Sequence, residues 1–374
     1  MSILPVQVTR TWWQQLRPRL TLIYILVVLI LVGLSVVGQI RLLNEVGKTF
    51  GGFFWAIDNT DGQVVVVSTP PQLSSVPISA DSLTSSNRII AVNGQKGPDG
   101  LSYVYSHVKP GTSLTYTVQH NQQTMQIVHS TYTFTLDMWF GNYGLAFLAG
   151  LSWLLVGGIL LATAGDWSGA VEGLTLLPPA MLFLLYSHWG NVQQAYPADA
   201  VFQLLWVPAF ALLGAAFIHL SLTYRPEALQ TERVPRLAID GLPYLPLLAL
   251  LAYEWSSYLI FGQVPTRINL TVSLGYGVLG GVISLCIGLT SLARVWRIVP
   301  QQQGETRTLQ VMIPSHIRRR IGDLLTLWIG GVGLGFCLGI LPILLTGQTL
   351  LPLSMFYILA IAHRSACTCR GDSG

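Results

Sequence analysis

Residues 20–40 read LTLIYILVVLILVGLSVVGQI, an uncharged apolar run of about twenty residues, enough as a helix to cross a ~30 Å hydrocarbon core. Such a run exposed to water would leave far more contiguous apolar surface than a soluble monomer shows, so lipid is the solvent for this part of the chain. It is also longer than the apolar core of a cleaved signal peptide. We therefore expect residues 20–41 to be an uncleaved transmembrane anchor, with residues 1–19 in the cytoplasm. Trp12 and Trp13 precede it, where interfacial aromatic anchors are found.

The rest of the composition extends the argument. Of 374 residues, 51% are hydrophobic and only 10% charged, against about 25% charged in ordinary soluble domains. Further apolar runs predict spans near 142–163, 172–190, 201–223, 241–261, 270–293, 323–345 and 350–362. The expected fold class is thus a polytopic α-helical membrane protein of about eight transmembrane helices. Pro342 and Pro352 interrupt the last two runs.

The net charge of +4 is arranged by position. Arg10, Arg17 and Arg19 precede the anchor. Arg225, Arg233 and Arg236 share one connector, and Arg294, Arg297, Arg307, Arg318, Arg319 and Arg320 another. Arginine clustered in alternate connectors is the positive-inside pattern, which sets orientation and implies no nucleic-acid partner. With eight spans both termini fall in the cytoplasm of a multi-pass protein of the cell membrane.

Between anchor and bundle, residues 43–136 change character. Turn formers such as Asp58-Asn59-Thr60-Asp61-Gly62, Asn93-Gly94, Pro98-Asp99-Gly100 and Pro110-Gly111 separate the β-rich runs Val64–Ser68, Arg88–Val92, Ser113–Val118 and Thr124–Thr133. This pattern predicts one compact, mostly β domain, extracytoplasmic if the N-terminus is inside. Residues 139–362 are the expected seven-helix region, and 363–374 a short cytoplasmic tail.

Motifs for chemistry are few. Gly275-Tyr276-Gly277-Val278-Leu279-Gly280 matches G-x-G-x-x-G, but it lies within an apolar helix where amides are already bonded, so close helix packing is expected there. Gly331, Gly335 and Gly339 form a second small-residue face. No H-E-x-x-H, G-x-S-x-G or G-x-x-x-x-G-K-[ST] motif occurs, and no catalytic residue is assigned. Cys286, Cys337, Cys367 and Cys369 suit neither a disulfide framework nor a zinc site, so no metal or cofactor is expected. Glu254, beside Tyr253 and Trp255, is the most notable ionisable group inside a span. It is read either as a hydrogen-bonded strut or as the polar floor of a ligand or ion cavity. His188 and His219 are expected at the interfaces.

The polar block resembles a PDZ domain. Leu83-Thr84-Ser85-Ser86-Asn87-Arg88-Ile89-Ile90-Ala91-Val92-Asn93-Gly94 resembles its GL-x-x-GD-x-I-x-x-VNG pattern, with Ser86 and Asn87 in place of Gly-Asp, and Pro110 to Val118 resembles the strand that follows. The resemblance implies a peptide taken up as an added strand, with a Gly-rich loop at its carboxylate. Gly51, Gly52, Phe53 and Phe54 are the candidate loop and, with Glu254, the candidate ligand-binding residues. A PDZ-like fold that packs on the helices and binds no peptide is the other reading.

The order of parts, one helix, an outer PDZ-like domain and about seven helices, is similar to the membrane sensor half of PDZ-bearing bacterial histidine kinases of the competence-pheromone type. Phe217 to Pro226 and Ile340 to Leu345 resemble helix ends of that group. The resemblance implies a receptor for an extracellular peptide or hydrophobic ligand, signalling through a homodimer or a separate kinase. The chain itself is not an enzyme in this reading. In that family a kinase follows the last helix; here only residues 363–374 follow, and truncation or a frameshift is the expectation. Other classes remain open: a transporter or channel with an external accessory domain, and an intramembrane hydrolase with a PDZ gate.

Overall fold

A computed structural model describes residues 4–57, 62–70, 73, 88–120, 123–164, 170, 173–196, 199–223, 241–261 and 266–298. The chain opens with α1 (Leu4–Leu43), which carries Pro18 in its interior and Arg41 in its last turn. Its segment Leu16–Leu43 is long and apolar enough to cross a membrane, as are Leu136–Thr163 and Asn269–Ile287. Along α1, Leu22, Ile23, Leu26, Leu29 and Val37 are left exposed, an apolar face with no protein against it. Exposed leucine and isoleucine in such density is unstable in water and ordinary in lipid, which is the signature of membrane association.

Gly47, at φ 89°, turns the chain out of the helix, and its amide donates to the Phe134 carbonyl at 2.8 Å. There β1 (Thr49–Phe50) pairs antiparallel with β8 (Tyr132–Thr133), so the polar domain enters and leaves through a two-stranded stem. Between them lie β2 (Phe54–Ile57), β3 (Val64–Ser68), β4 (Arg88–Val92), β5 (Gln95–Lys96), α2 (Gly97–His107), β6 (Ser113–His120) and β7 (Gln123–Ser130). The main sheet runs β2-β3-β4-β6-β7 with every neighbour antiparallel, and β5 folds back on β4. Asn93 and Gly94, at φ 48° and 81°, make the tight turn between β4 and β5.

The strands expected at 64–68, 88–92 and 113–118 form as read, and 124–133 splits into β7 and β8. The sequence reading missed α2. Pro98-Asp99-Gly100 does not make a turn but starts a helix: proline is tolerated in a first turn and Asp99 there favours the positive end of the helix dipole. Leu101, Val104 and Tyr105 then bury one face of α2 on the sheet, against Trp55, Val66, Val92, Leu114, Tyr116 and Val118. Residues 83–87 of the PDZ-like run lie outside the described residues.

Past the stem, the Thr135 side chain accepts from the Met138 amide at 3.3 Å and caps α3 (Leu136–Trp139). A π-turn over Phe140–Gly144, with Asn142 Nδ2 donating to the Met138 carbonyl at 2.9 Å, joins it to α4 (Leu145–Thr163). The span expected at 172–190 is built otherwise: α5 (Leu177–Leu184), opened by Pro178 and Pro179, runs into a 3-10 turn over Leu185–His188 and is too short to cross a bilayer by itself. Then come α6 (Asp199–Thr223), α7 (Leu245–Phe261) and α8 (Thr266–Ile298). Within α6 the apolar stretch Leu204–His219 is shorter than a full span, and α7 has 17 residues. The expected spans at 323–345 and 350–362, Gly331, Gly335, Gly339, the connector 224–240 and the tail 363–374 lie outside the described residues.

Glycine sets the closest helix contact. A Cβ on Gly214 would stand 2.9 Å from the Gly277 Cα, and one on Gly280 would meet the Gly214 backbone. The G-x-G-x-x-G stretch is therefore the seam of α8 against α6, and its amides stay within the helix.

Candidate functional site

The site worth building is the seam where the polar domain meets the helices. It begins with β2, an edge strand of the main sheet. An edge strand presents unpaired backbone groups and needs a partner or a cover. Its partner here is the connector between α5 and α6. Trp55 donates its amide to the Asn191 carbonyl at 3.2 Å, and Asn191 returns the bond to the Trp55 carbonyl at 2.7 Å. Trp55 Nε1 donates to the Val192 carbonyl at 3.1 Å, and Gln193 Nε2 to the Tyr105 carbonyl of α2 at 3.0 Å. The connector thus lies along the β2 edge and reaches α2, with Ala195 packed against the sheet core.

Gly51 to Phe54 stand at the start of this edge. A Cβ on Gly51 would land on the Tyr105 hydroxyl. Gly52 has φ 84°, and a Cβ there would be 2.8 Å from His129 Nε2 and 3.0 Å from Tyr132. Both glycines therefore have a packing reason that holds with or without a ligand. Phe53 turns into the sheet core, edge-on to Tyr116 at 5.7 Å, while Phe54 turns the other way, among Phe50, Phe134 and Tyr143. Two adjacent residues thereby tie the sheet to the base of the helices. Phe54 opens β2, which the sequence reading had not identified as a strand.

Beneath this edge lies an ionic knot. Arg41 Nη1 donates to Asp199 Oδ1 at 2.5 Å, and Nη2 to the Ser187 and Gly190 carbonyls at 3.0 and 3.3 Å. Its guanidinium also lies 4.4 Å from the centre of the Tyr196 ring. Both members of the ion pair are largely buried, which makes loss of either one costly. His188 Nε2 donates to the Leu34 carbonyl at 3.0 Å, its Nδ1 stands 3.6 Å from Asp199 Oδ1, and its ring stacks on Phe202 at 3.6 Å. The knot joins α1, the 3-10 turn and α6. His188 and His219, expected at interfaces, are both buried; His219 Nδ1 shares a hydrogen bond with the Tyr244 hydroxyl at 3.1 Å.

Burial sets the protonation of the polar domain's inner groups. The hydroxyls of Tyr105 and Tyr116 share a hydrogen bond at 3.0 Å inside the core, and desolvation pushes both well above the ordinary tyrosine range. Desolvation likewise holds the His129 imidazole below its usual value of 6.5.

Glu254 is elsewhere, on α7 and facing α8. It is fully buried together with Asn269 and Ser273. The Asn269 amide faces the carboxyl, yet no hydrogen bond of normal geometry joins them. The structure therefore brings Gly51 to Phe54 together at the seam and leaves Glu254 apart from them, buried between α7 and α8. Trp55, Asn191, Arg41 and Asp199 were missed in the sequence. A signal existed: Arg41 closes one apolar run and Asp199 opens another, opposite charges at two helix ends. Among the described residues no three His, Cys, Asp or Glu side chains gather as a metal site.

Comparison with protein-family models, with curated proteins and with solved structures finds no match to this chain.

Proposed function

We propose that the chain is a membrane sensor module, in which a PDZ-like outer domain and a helix bundle recognise an extracellular peptide or a hydrophobic ligand and pass the event to a signalling partner. PDZ-bearing sensor histidine kinases are the architecture it resembles. The observation that carries this reading is the two-way backbone bridge between Trp55 and Asn191. A PDZ domain takes its peptide as a strand added to one sheet edge. Here the edge preceded by Gly51-Gly52-Phe53 is held by the connector that leads into α6. A peptide competing for that edge has to displace the connector, and the connector ends on the Arg41–Asp199 knot. Binding outside would then be felt in the packing of α1 and α6. Coupling of about 1–3 kcal/mol is typical between such sites and suffices for a signal. Output would pass to a homodimer or a separate kinase.

The test uses the purified full chain in lipid nanodiscs and a library of random hexapeptides with free C-termini. Asn191→Pro removes the amide that the connector gives to β2, and retained hexapeptides should bind about tenfold tighter to this variant, equivalent to about 1.4 kcal/mol. If neither protein retains any sequence, the peptide-sensor reading is wrong. A second reading, a transporter or channel with an external accessory domain, draws on the buried Glu254 and the glycine-lined helix contact.

A further inference from the structure

We propose that Glu254, Asn269 and Ser273 form an intramembrane binding site for a monovalent metal cation, with sodium as the fitting class. This inference does not depend on the sensor reading. Glu254 lies seven residues before the end of α7 and Ser273 seven after the start of α8. At 1.5 Å per residue both stand about 10 Å from the connection between the helices, hence at one level. Asn269 and Ser273 are four residues apart, which puts them on the same face of α8.

All three side chains are 0% exposed. Five of their polar atoms have no hydrogen-bond partner: both carboxylate oxygens of Glu254, Oδ1 and Nδ2 of Asn269, and Oγ of Ser273. Native interiors satisfy nearly all buried polar atoms, so five unpartnered atoms on three buried side chains at one level of α7 and α8 point to a bound species. A buried carboxylate also needs its charge balanced, and no cationic side chain pairs with Glu254 among the described residues. Water would supply hydrogen bonds but no charge. A proton would neutralise the carboxyl and let it pair with the facing Asn269 amide, but would leave the Ser273 hydroxyl without a partner. A cation answers both needs.

The donor set decides which cation. Carboxylate, amide carbonyl and hydroxyl are hard oxygen ligands, the preference of alkali and alkaline-earth ions, and the pocket offers neither thiolate nor imidazole for a transition metal. One carboxylate neutralises one positive charge. A divalent ion would leave a buried excess charge, whereas a monovalent ion leaves none.

The test is thermal unfolding of the purified full chain in detergent, with sodium chloride replaced by choline chloride at constant ionic strength. Sodium should raise the midpoint by several degrees, saturably, and Glu254→Gln, which keeps the side chain's shape, should abolish the rise. Ser273→Ala should weaken it at least severalfold in sodium concentration. Binding of radioactive sodium to the wild-type chain gives a readout that needs no variant to fold. No sodium effect, a choline effect of equal size, a response to pH alone, or a sodium rise retained in Glu254→Gln would each overturn the proposal.

Discussion

At the scale of single residues, the informative groups are those whose environment contradicts their chemistry. His129 is one. Its ring packs against Tyr116 and Tyr132 beside Gly52, and burial lowers its affinity for protons. Below the unfolded value of 6.5 the open chain takes up a proton that the folded domain resists, so stability is full above that pH and falls as pH drops towards the folded value. Hydrogen exchange of peptides covering 113–130, corrected for intrinsic rates, should show more frequent opening at pH 5.5 than at pH 8. His129→Gln should remove much of that difference. Part of this was legible in the sequence and part was not. The sequence singled out Gly51 and Gly52 only as a candidate loop; of the two, Gly52 has positive φ. That the missing side chains make room for Tyr105, His129 and Tyr132 depends on residues 50 to 80 positions away, which no local pattern reports.

At the scale of elements, strand runs with alternating β-branched residues were readable because each buries one face on a common core. The helix α2 was not. Its eleven residues begin with two glycines and a proline in four positions, composition that argues for a turn, and only the spacing of Leu101, Val104 and Tyr105 argues for a helix. The same limit applies to α5, where length of apolar sequence suggested a full span and paired prolines cut it to eight residues. Helix packing through glycine was readable, and it makes a prediction. Gly214→Leu drives a large side chain into the backbone of Tyr276 and Gly277. Overpacking of this kind typically costs about 1–3 kcal/mol, to be read as a lower unfolding midpoint in detergent. Gly275→Leu is the control, since a Cβ there meets nothing within 4 Å.

At the scale of the whole molecule, the sensor reading depends on the polar domain and the arginine-rich connectors lying on opposite sides of the bilayer. In a chain with its four cysteines replaced by serine, Tyr103→Cys on the exposed side of α2 should react with an impermeant thiol reagent applied to whole cells. Thr306→Cys should react only after lysis. The reverse pattern would remove the receptor reading with the topology. The stem adds a consequence for how such a chain can be built. Because Thr49 sits across from Thr133, the entry and exit of the polar domain are neighbours. The block is therefore a cassette: cut out between Gly47 and Phe134, it leaves two ends already within hydrogen-bonding distance of each other. A different domain can be exchanged onto the same helices without altering the length or phase of either flanking helix, provided it brings an edge for Asn191 to hold.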